Sequence, residues 1–278
     1  MKYAFFLPLI FIVYVNQALA QTADGTPLKL RVATYNVGHF NQGVAGGLEV
    51  RGEAVYGKEG KQRYAQLELL AWRDWISRES LDIIGVQEWN TYFDADSTIH
   101  AENELLKPFY NNVHFGDGHK WIFNGIATNY KLTNLRQKYW AGDYYALIGD
   151  LKIGEKVITV MSTHVPWQED WHASALDSLM AEMKKYEYLI CFADFNATDA
   201  EQLRFREAGF NLANGGHQGW FGTANGSLRL SGLSGAPDKN IDNIMTSPNI
   251  KIMNVSAPLT GLNDQDHLPV LADLIITW

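Results

Sequence analysis

Asp82-Ile83-Ile84-Gly85-Val86-Gln87-Glu88 is an aliphatic run of strand length that ends on a carboxylate. Working outward, the same pattern recurs. Candidate strands are Leu28–Asn36, Leu81–Gln87, Tyr144–Ile153, Lys156–Thr163, Tyr188–Ala193, Ile250–Val255 and Val270–Ile276. Helical periodicity separates some of them. Tyr64, Leu67, Leu70, Ala71 and Ile76 share one face of Arg63–Ser77, and Ala175, Leu179 and Met183 recur every four residues in Trp171–Lys185. Helix–strand alternation early and a hairpin-like pair around Gly149–Lys156 later point to an α/β fold with mixed sheets. With no low-complexity tract or Pro/Ser linker, residues 21–278 read as one domain.

Before that domain, Lys2, the apolar stretch from Ala4 to Val15 and the small-x-small triplet Ala18-Leu19-Ala20 form the pattern of a signal peptide over residues 1–20, cleaved after Ala20. The expectation is an exported protein, periplasmic or secreted. No later stretch reaches the ~20 apolar residues of a membrane span, so no stable membrane insertion is expected, and the mature protein is expected to be a monomer. Cys191 is the only cysteine and lies in an apolar run, which excludes an internal disulfide and suits a packed core thiol. Asn196-Ala197-Thr198 reads as a glycosylation sequon, but a glycan there would block the site described next, so a bacterial source is favoured.

Polar residues collect where the strands end. Asn36, Glu88 and His164 each follow an apolar run, Asp194 and Asn196 follow Tyr188–Ala193, Asp242 stands in Asn240-Ile241-Asp242-Asn243-Ile244, and Asp266-His267 precedes Leu268-Pro269-Val270. Any one of them suits a turn or a helix cap. Together they suit a crevice, because strand ends on one edge of an α/β sheet converge. Acid oxygens with an amide favour a hard cation such as Mg²⁺, with Mn²⁺ a possible substitute, and no HExxH or CxxC pattern calls for zinc. Two carboxylates 4 Å apart repel by ~4 kcal/mol at an effective dielectric of 20, so the cluster needs a cation or protons.

Thr34-Tyr35-Asn36-Val37, Asp82–Glu88, Ser162-Thr163-His164, Ala193-Asp194-Phe195-Asn196, Ile241-Asp242-Asn243-Ile244 and Asp266-His267-Leu268-Pro269-Val270, in that order, resemble the endonuclease/exonuclease/phosphatase superfamily. That group includes pancreatic-type deoxyribonucleases, abasic-site endonucleases, neutral sphingomyelinases and inositol-polyphosphate 5-phosphatases. The resemblance implies a four-layer sandwich of two packed mixed β-sheets flanked by helices. It also implies metal-dependent hydrolysis of phosphoester bonds by in-line attack of water. Glu88 would be the principal metal ligand, with Asn36 and Asp266 completing the metal and phosphate environment. Asp194 would align or deprotonate the water, and Asn196 would hold a phosphate oxygen. Asp242 would orient His267, and His267 with His164 would grip the phosphoryl oxygens. The formal base and the number of metals stay open.

Several positions depart from the family pattern. Ala193 and Gln265 replace the usual glycine and serine, and Tyr144-Tyr145 stands where many members carry a basic residue. The tryptophan-aspartate-arginine signature of inositol 5-phosphatases is missing around Asp242. The formal charge of the chain is −8, and losing Lys2 makes the remainder more acidic. Only Arg51, Lys58, Lys61, Arg229 and Lys239 place cations in the glycine-rich segments Asn41–Lys61 and Asn214–Asn240. Duplex DNA is gripped through Lys and Arg, so a small or lipid-linked phosphoester is expected in preference to polymeric DNA. Trp167, Trp171, Trp220 and Phe221 lie among polar residues near the motifs and are candidate stacking surfaces for substrate. A phosphodiesterase leads. A phosphomonoesterase, a nuclease and an inactive binding protein are the alternatives.

Overall fold

A computed structural model describes residues 26–41, 68–94, 97–117, 123–224, 239–260 and 267–278. Residues 1–25, Asp266 and most of both glycine-rich segments lie outside the described residues.

Two six-stranded sheets make the body of the protein. The first contains β1 (Leu28–Asn36), β2 (Ile83–Gln87), β3 (Asn112–Phe115), β4 (Gly125–Thr128), β11 (Ile250–Ser256) and β12 (Val270–Ile276), in the order β11-β12-β1-β2-β4-β3. The second contains β5 (Leu132–Ala141), β6 (Tyr144–Ile153), β7 (Lys156–His164), β8 (Leu189–Asp194), β9 (Asn211–Leu212) and β10 (Asp242–Thr246), in the order β5-β6-β7-β8-β10-β9. Each sheet is mixed, with one parallel pair: β1 with β2, and β7 with β8.

Alternation along the strands assigns each side chain to a layer. Leu28, Leu30 and Val32 of β1 meet Ile158 and Val160 of β7 and Ile190 and Phe192 of β8 between the sheets. The opposite face of β1, with Ala33 and Tyr35, packs on Leu69, Trp72, Trp75 and Ile76 of helix α1, whose described part is residues 68–79. On the far side, Met161, Leu189 and Cys191 pack on Ala175, Leu176, Leu179 and Met183 of α2 (Glu169–Met183), and α3 (Asp199–Glu207) adds Phe205. This is the expected four-layer sandwich, helix–sheet–sheet–helix. Cys191 is fully buried, and burial pushes its thiol pKa up, as suits a core side chain. Among the described residues no helix is long and apolar enough to cross a membrane.

The sheets approach closely at Gly85, where a Cβ would sit 2.4 Å from Cβ of Phe192. Both Cβ positions are fixed by backbones already committed to ladders, so neither can step aside cheaply. Gly85→Ala is expected to destabilise the fold by about 1–3 kcal/mol through overpacking. A lowered denaturant midpoint at unchanged slope checks this, and an unchanged midpoint would refute it.

Strand boundaries fell at Leu28–Asn36, Tyr144–Ile153 and Val270–Ile276 as the sequence suggests, and within two residues for the other four. Five strands and one helix carry weaker signals. β4 is only four residues long, and β5 is an edge strand whose Thr133, Asn134, Lys138 and Tyr139 face solvent. β10 opens on Asp242-Asn243, residues that usually mark turns. Helix α3 buries little beyond Gln202 and Phe205, so it lacks an apolar stripe. It does carry a capping box, with Thr198 accepting from the Glu201 N–H and Glu201 accepting from the Thr198 N–H, which Thr198-x-x-Glu201 announces.

Candidate active site

Strand register builds the site. Parallel pairing of β7 with β8 puts His164 beside Asp194, and antiparallel pairing of β10 with β8 puts Asp242 beside Asp194. Three residues from distant parts of the chain therefore form one row across the second sheet. In the first sheet, β1 and β2 place Asn36 beside Gln87, with Glu88 one step beyond. Buried Gln87 then ties the sheets together: its amide donates to Ser162 Oγ at 3.1 Å and accepts from Thr34 Oγ1 at 3.2 Å. The cross-sheet contact from Asn36 Nδ2 to Asp194 Oδ2 is 2.9 Å.

Asp194 is nearly fully buried and held on both oxygens. Oδ1 accepts from the Asn196 N–H at 2.9 Å, and Oδ2 takes the Asn36 amide. Asn36 Oδ1 accepts from the Gly38 N–H at 2.9 Å, so Asn36 orients Asp194 while keeping one lone pair for a cation. Asn196 Nδ2 donates to the Val165 carbonyl at 3.0 Å and to His164 Nε2 at 2.9 Å. His164 Nε2 also lies 3.5 Å from Asp194 Oδ2, and Nδ1 faces Glu88 Oε1 at 3.7 Å. His267 Nδ1 lies 2.9 Å from Asp242 Oδ2, which leaves its Nε2 facing Asp194 Oδ2 across 3.9 Å. Burial raises the Asp242 carboxyl pKa, while His267 pulls it back down.

Glu88 and Asn196 both have positive φ, 49° and 45°. Non-glycine residues adopt this region at a cost and tend to do so at functional sites. Here it peels the chain off each sheet immediately after the strand and turns the side chain into the crevice.

Two groups were not singled out from the sequence as site residues. Tyr144 packs edge-on against His164, with ring centroids 5.5 Å apart, and its hydroxyl accepts from Gln168 Nε2 at 3.2 Å. Burial raises its pKa, and Glu88 and Asp194 push the same way, so it is a neutral donor at pH 7. In the sequence this aromatic pair stands out only as the absence of the family's usual basic residue. His39 Nε2 lies 3.4 Å from Glu88 Oε2. Nothing local signals that, because it depends on β1 pairing with a strand some fifty residues away.

The four aromatic candidates separate. Trp167 is 69% exposed and lines a groove of about 680 Å³ that includes Asn196, Ala197, Ala200, Lys239 and Ile241. His172, reaching the Pro166 carbonyl at 2.7 Å, braces the segment that carries it. Trp171 is 43% exposed and lies against the β5–β6 turn at Gly142. Trp220 and Phe221 are half-buried: Trp220 covers Gly215, and Phe221 packs against the core between the sheets. The Asn214 side-chain amide accepts from the Phe221 N–H and donates to the Phe221 carbonyl, and it also reaches the Asp242 carbonyl.

The donor set fits a divalent cation. Glu88, His164 and Asp194 each offer an atom within 4.8 Å of the others, and Asp194, Asp242 and His267 form a second such group. Buried carboxylates at this spacing need positive charge.

A family model described as "Endonuclease/Exonuclease/phosphatase family" matches residues 33–267. The chain belongs to that family. Its members are phosphoester hydrolases, and so is this protein. Solved structures of the same fold include an endonuclease/exonuclease/phosphatase from Bacteroides vulgatus, with TM-score 0.64 and 17% identity, covering 89% of this chain and 98% of that one. A truncated TDP2 from Caenorhabditis elegans matches with TM-score 0.63 and 13% identity, covering 89% and 97%. A mannosyl-6-phosphatase from Bacteroides thetaiotaomicron VPI-5482 matches with TM-score 0.60 and 15% identity, covering 88% and 99%. No curated protein matches the sequence.

Proposed function

We propose that this family member is an exported, magnesium-dependent phosphodiesterase acting on a small or lipid-linked substrate. The observation that carries the chemistry is the row His164–Asp194–Asp242, with His267 at one end and Glu88 facing it from the other sheet. Glu88 would hold the cation, with Asn36 and, from the family resemblance, Asp266 beside it. When bound, Mg²⁺ or Mn²⁺ supplies Lewis-acid polarisation of a phosphoryl oxygen and offsets the carboxylate charge.

The protein residues do the positioning. Asp194, fixed by Asn36 and Asn196, presents its remaining lone pairs to a water and can accept its proton. His267, held through Nδ1 by Asp242, points Nε2 into the 3.9 Å gap, which is too long for a direct hydrogen bond. A phosphoryl oxygen in that region would receive a charge-assisted hydrogen bond as charge builds. Tyr144 adds a neutral donor where a basic residue would otherwise grip phosphate.

The substrate reading rests on charge and shape. The chain is acidic overall, and Lys239 is the only cation lining the Trp167 groove among the described residues, with Asp199 beside it. An exposed indole suits the flat face of a small leaving group. A phosphomonoesterase is the second reading, suggested by the mannosyl-6-phosphatase of the same fold. The export reading rests on the leader pattern alone.

The deciding assay compares bis-(p-nitrophenyl) phosphate with p-nitrophenyl phosphate, each with Mg²⁺ and with chelator. Faster diester hydrolysis, abolished by chelator, supports the reading, and monoester preference would transfer it to the alternative. Plasmid DNA, oligonucleotides and a sphingomyelin-type lipid, run at two salt concentrations, test substrate class. Rapid plasmid nicking with steep salt dependence would overturn the small-substrate preference. Trp167→Ala is expected to raise KM for an aromatic diester about tenfold, as loss of ~1–3 kcal/mol of stacking predicts, with kcat little changed. An unaltered KM would remove Trp167 from the substrate path.

A further inference from the structure

We propose that the open edge of the sandwich between β9 and β11 binds a fatty carboxylate, an anionic head on a single apolar chain. The groove shares no residue with the catalytic row, and the proposal does not depend on how that row is read.

Both sheets end here. β11 is the outermost strand of the first sheet, and β9, only two residues long, is the outermost of the second. β9 pairs with Met245 and Thr246, at the end of β10 remote from Asp242. So short a strand leaves the edge of the inter-sheet layer uncovered. The result is a groove of about 640 Å³, within the usual range of a small-molecule cleft. Phe210 and Leu212 lie on one wall, and Ile252, Met253 and Val255 on the other. Met253 keeps 51% of its surface exposed, where an edge strand more often carries charge or proline.

Charge sets the groove apart from the rest of the surface. The chain carries a formal charge of −8, yet Arg206, Lys251 and His217 line the groove and no carboxylate does. Glu207, next along α3, is not part of the lining. Arg31, Arg73, Arg78, Arg136 and Arg204 each pair with a carboxylate. Arg206 is the only arginine among the described residues with no ion pair. Its guanidinium fork is therefore free to take a carboxylate through two parallel hydrogen bonds.

Gln218 decides between a fatty chain and an extended peptide added to β11. Its Oε1 accepts from the Val255 N–H at 3.1 Å, and its Nε2 donates to the Met253 carbonyl at 3.4 Å. These are the backbone groups that an added strand would need. A fatty carboxylate needs neither, because the guanidinium holds its head and the apolar walls bury its chain.

The test is calorimetric titration of the full chain with dodecanoate below its micelle concentration. Acetate, dodecyltrimethylammonium and hexaglutamate are the comparison probes. Dodecanoate is expected to bind about tenfold or more tighter than acetate or dodecyltrimethylammonium, with hexaglutamate unable to displace it. Replacing Arg206 and Lys251 together by Gln is expected to lower its affinity about tenfold or more. Met253→Gln is expected to weaken it as well, and Lys131→Gln with Lys156→Gln, a change of equal charge elsewhere, to leave it unaltered. Arg206, Lys251 and Met253 are exposed, so unfolding midpoints should stay at the wild-type value. Absence of dodecanoate binding overturns the proposal, as does affinity unchanged in the Arg206–Lys251 variant. Equal binding of the cationic chain overturns it too, since that is unselective apolar contact. Displacement of dodecanoate by hexaglutamate would assign the groove to an acidic peptide instead.

Discussion

Replacing Glu88 with Gln is expected to lower kcat/KM by about 10³-fold or more and to remove most of the divalent-cation affinity. The shape of the side chain is retained, so the loss is that of one negative charge aimed at the cation. Metal stabilisation of transition-state charge amounts to several kcal/mol, and about 4 kcal/mol corresponds to 10³-fold. The fold is expected to survive, because Glu88 adds to an acidic cluster that is self-repelling without a cation, and Gln relieves that repulsion. Thermal unfolding of the metal-free variant at or above the wild-type temperature, with calorimetric loss of cation binding, checks both halves. Wild-type cation titration in the variant would remove Glu88 from the site.

The second large effect concerns Asp242 and His267. Each single change, Asp242→Asn or His267→Ala, should lower kcat by two orders of magnitude or more. The double variant should be little worse than His267→Ala alone, because Asp242 acts through the imidazole it holds at 2.9 Å. Simple multiplication of the two losses would show that they do not form a unit. The pair also sets a pH limb. Burial raises the Asp242 pKa to about 6, so the ionised form that orients His267 is lost as pH falls through that region. Activity should therefore drop on the acid side with an apparent pKa near 6, and Asp242→Asn should flatten that limb. A limb unchanged in the variant would assign the titration elsewhere.

Much of the architecture is legible because the layers impose a period. In β1 the residues facing the second sheet alternate with those facing α1, and in β8 Ile190 and Phe192 alternate with Leu189 and Cys191. Each face is apolar, so the strand stands out as an unbroken hydrophobic run. β5 escapes the same reading because its outer side chains meet water, and β10 because it opens on the polar pair Asp242-Asn243. Trp220 and Phe221 resembled exposed loop aromatics only because their sequence neighbours are glycine and glutamine. The surfaces they cover, Gly215 and the inter-sheet core, come from elsewhere in the fold.

The sequence by itself determined which chemical groups are available and where the chain runs straight. Local periodicity sets the strands, and a strand must end somewhere, so Asn36, Glu88, His164 and Asp194 at those ends could be picked out without coordinates. What only the tertiary structure decided is which atoms face one another. The row of His164, Asp194 and Asp242 exists because two ladders share one register, and a shift of one residue would turn each side chain to the opposite face. Asn36 reaches Asp194 only because two separate sheets pack face to face. His39 meets Glu88 only because the ladder between β1 and β2 continues two bonds past the strands and aromatic packing holds a strained turn. These are long-range pairings, set by the sum of the core contacts rather than by the residues they join.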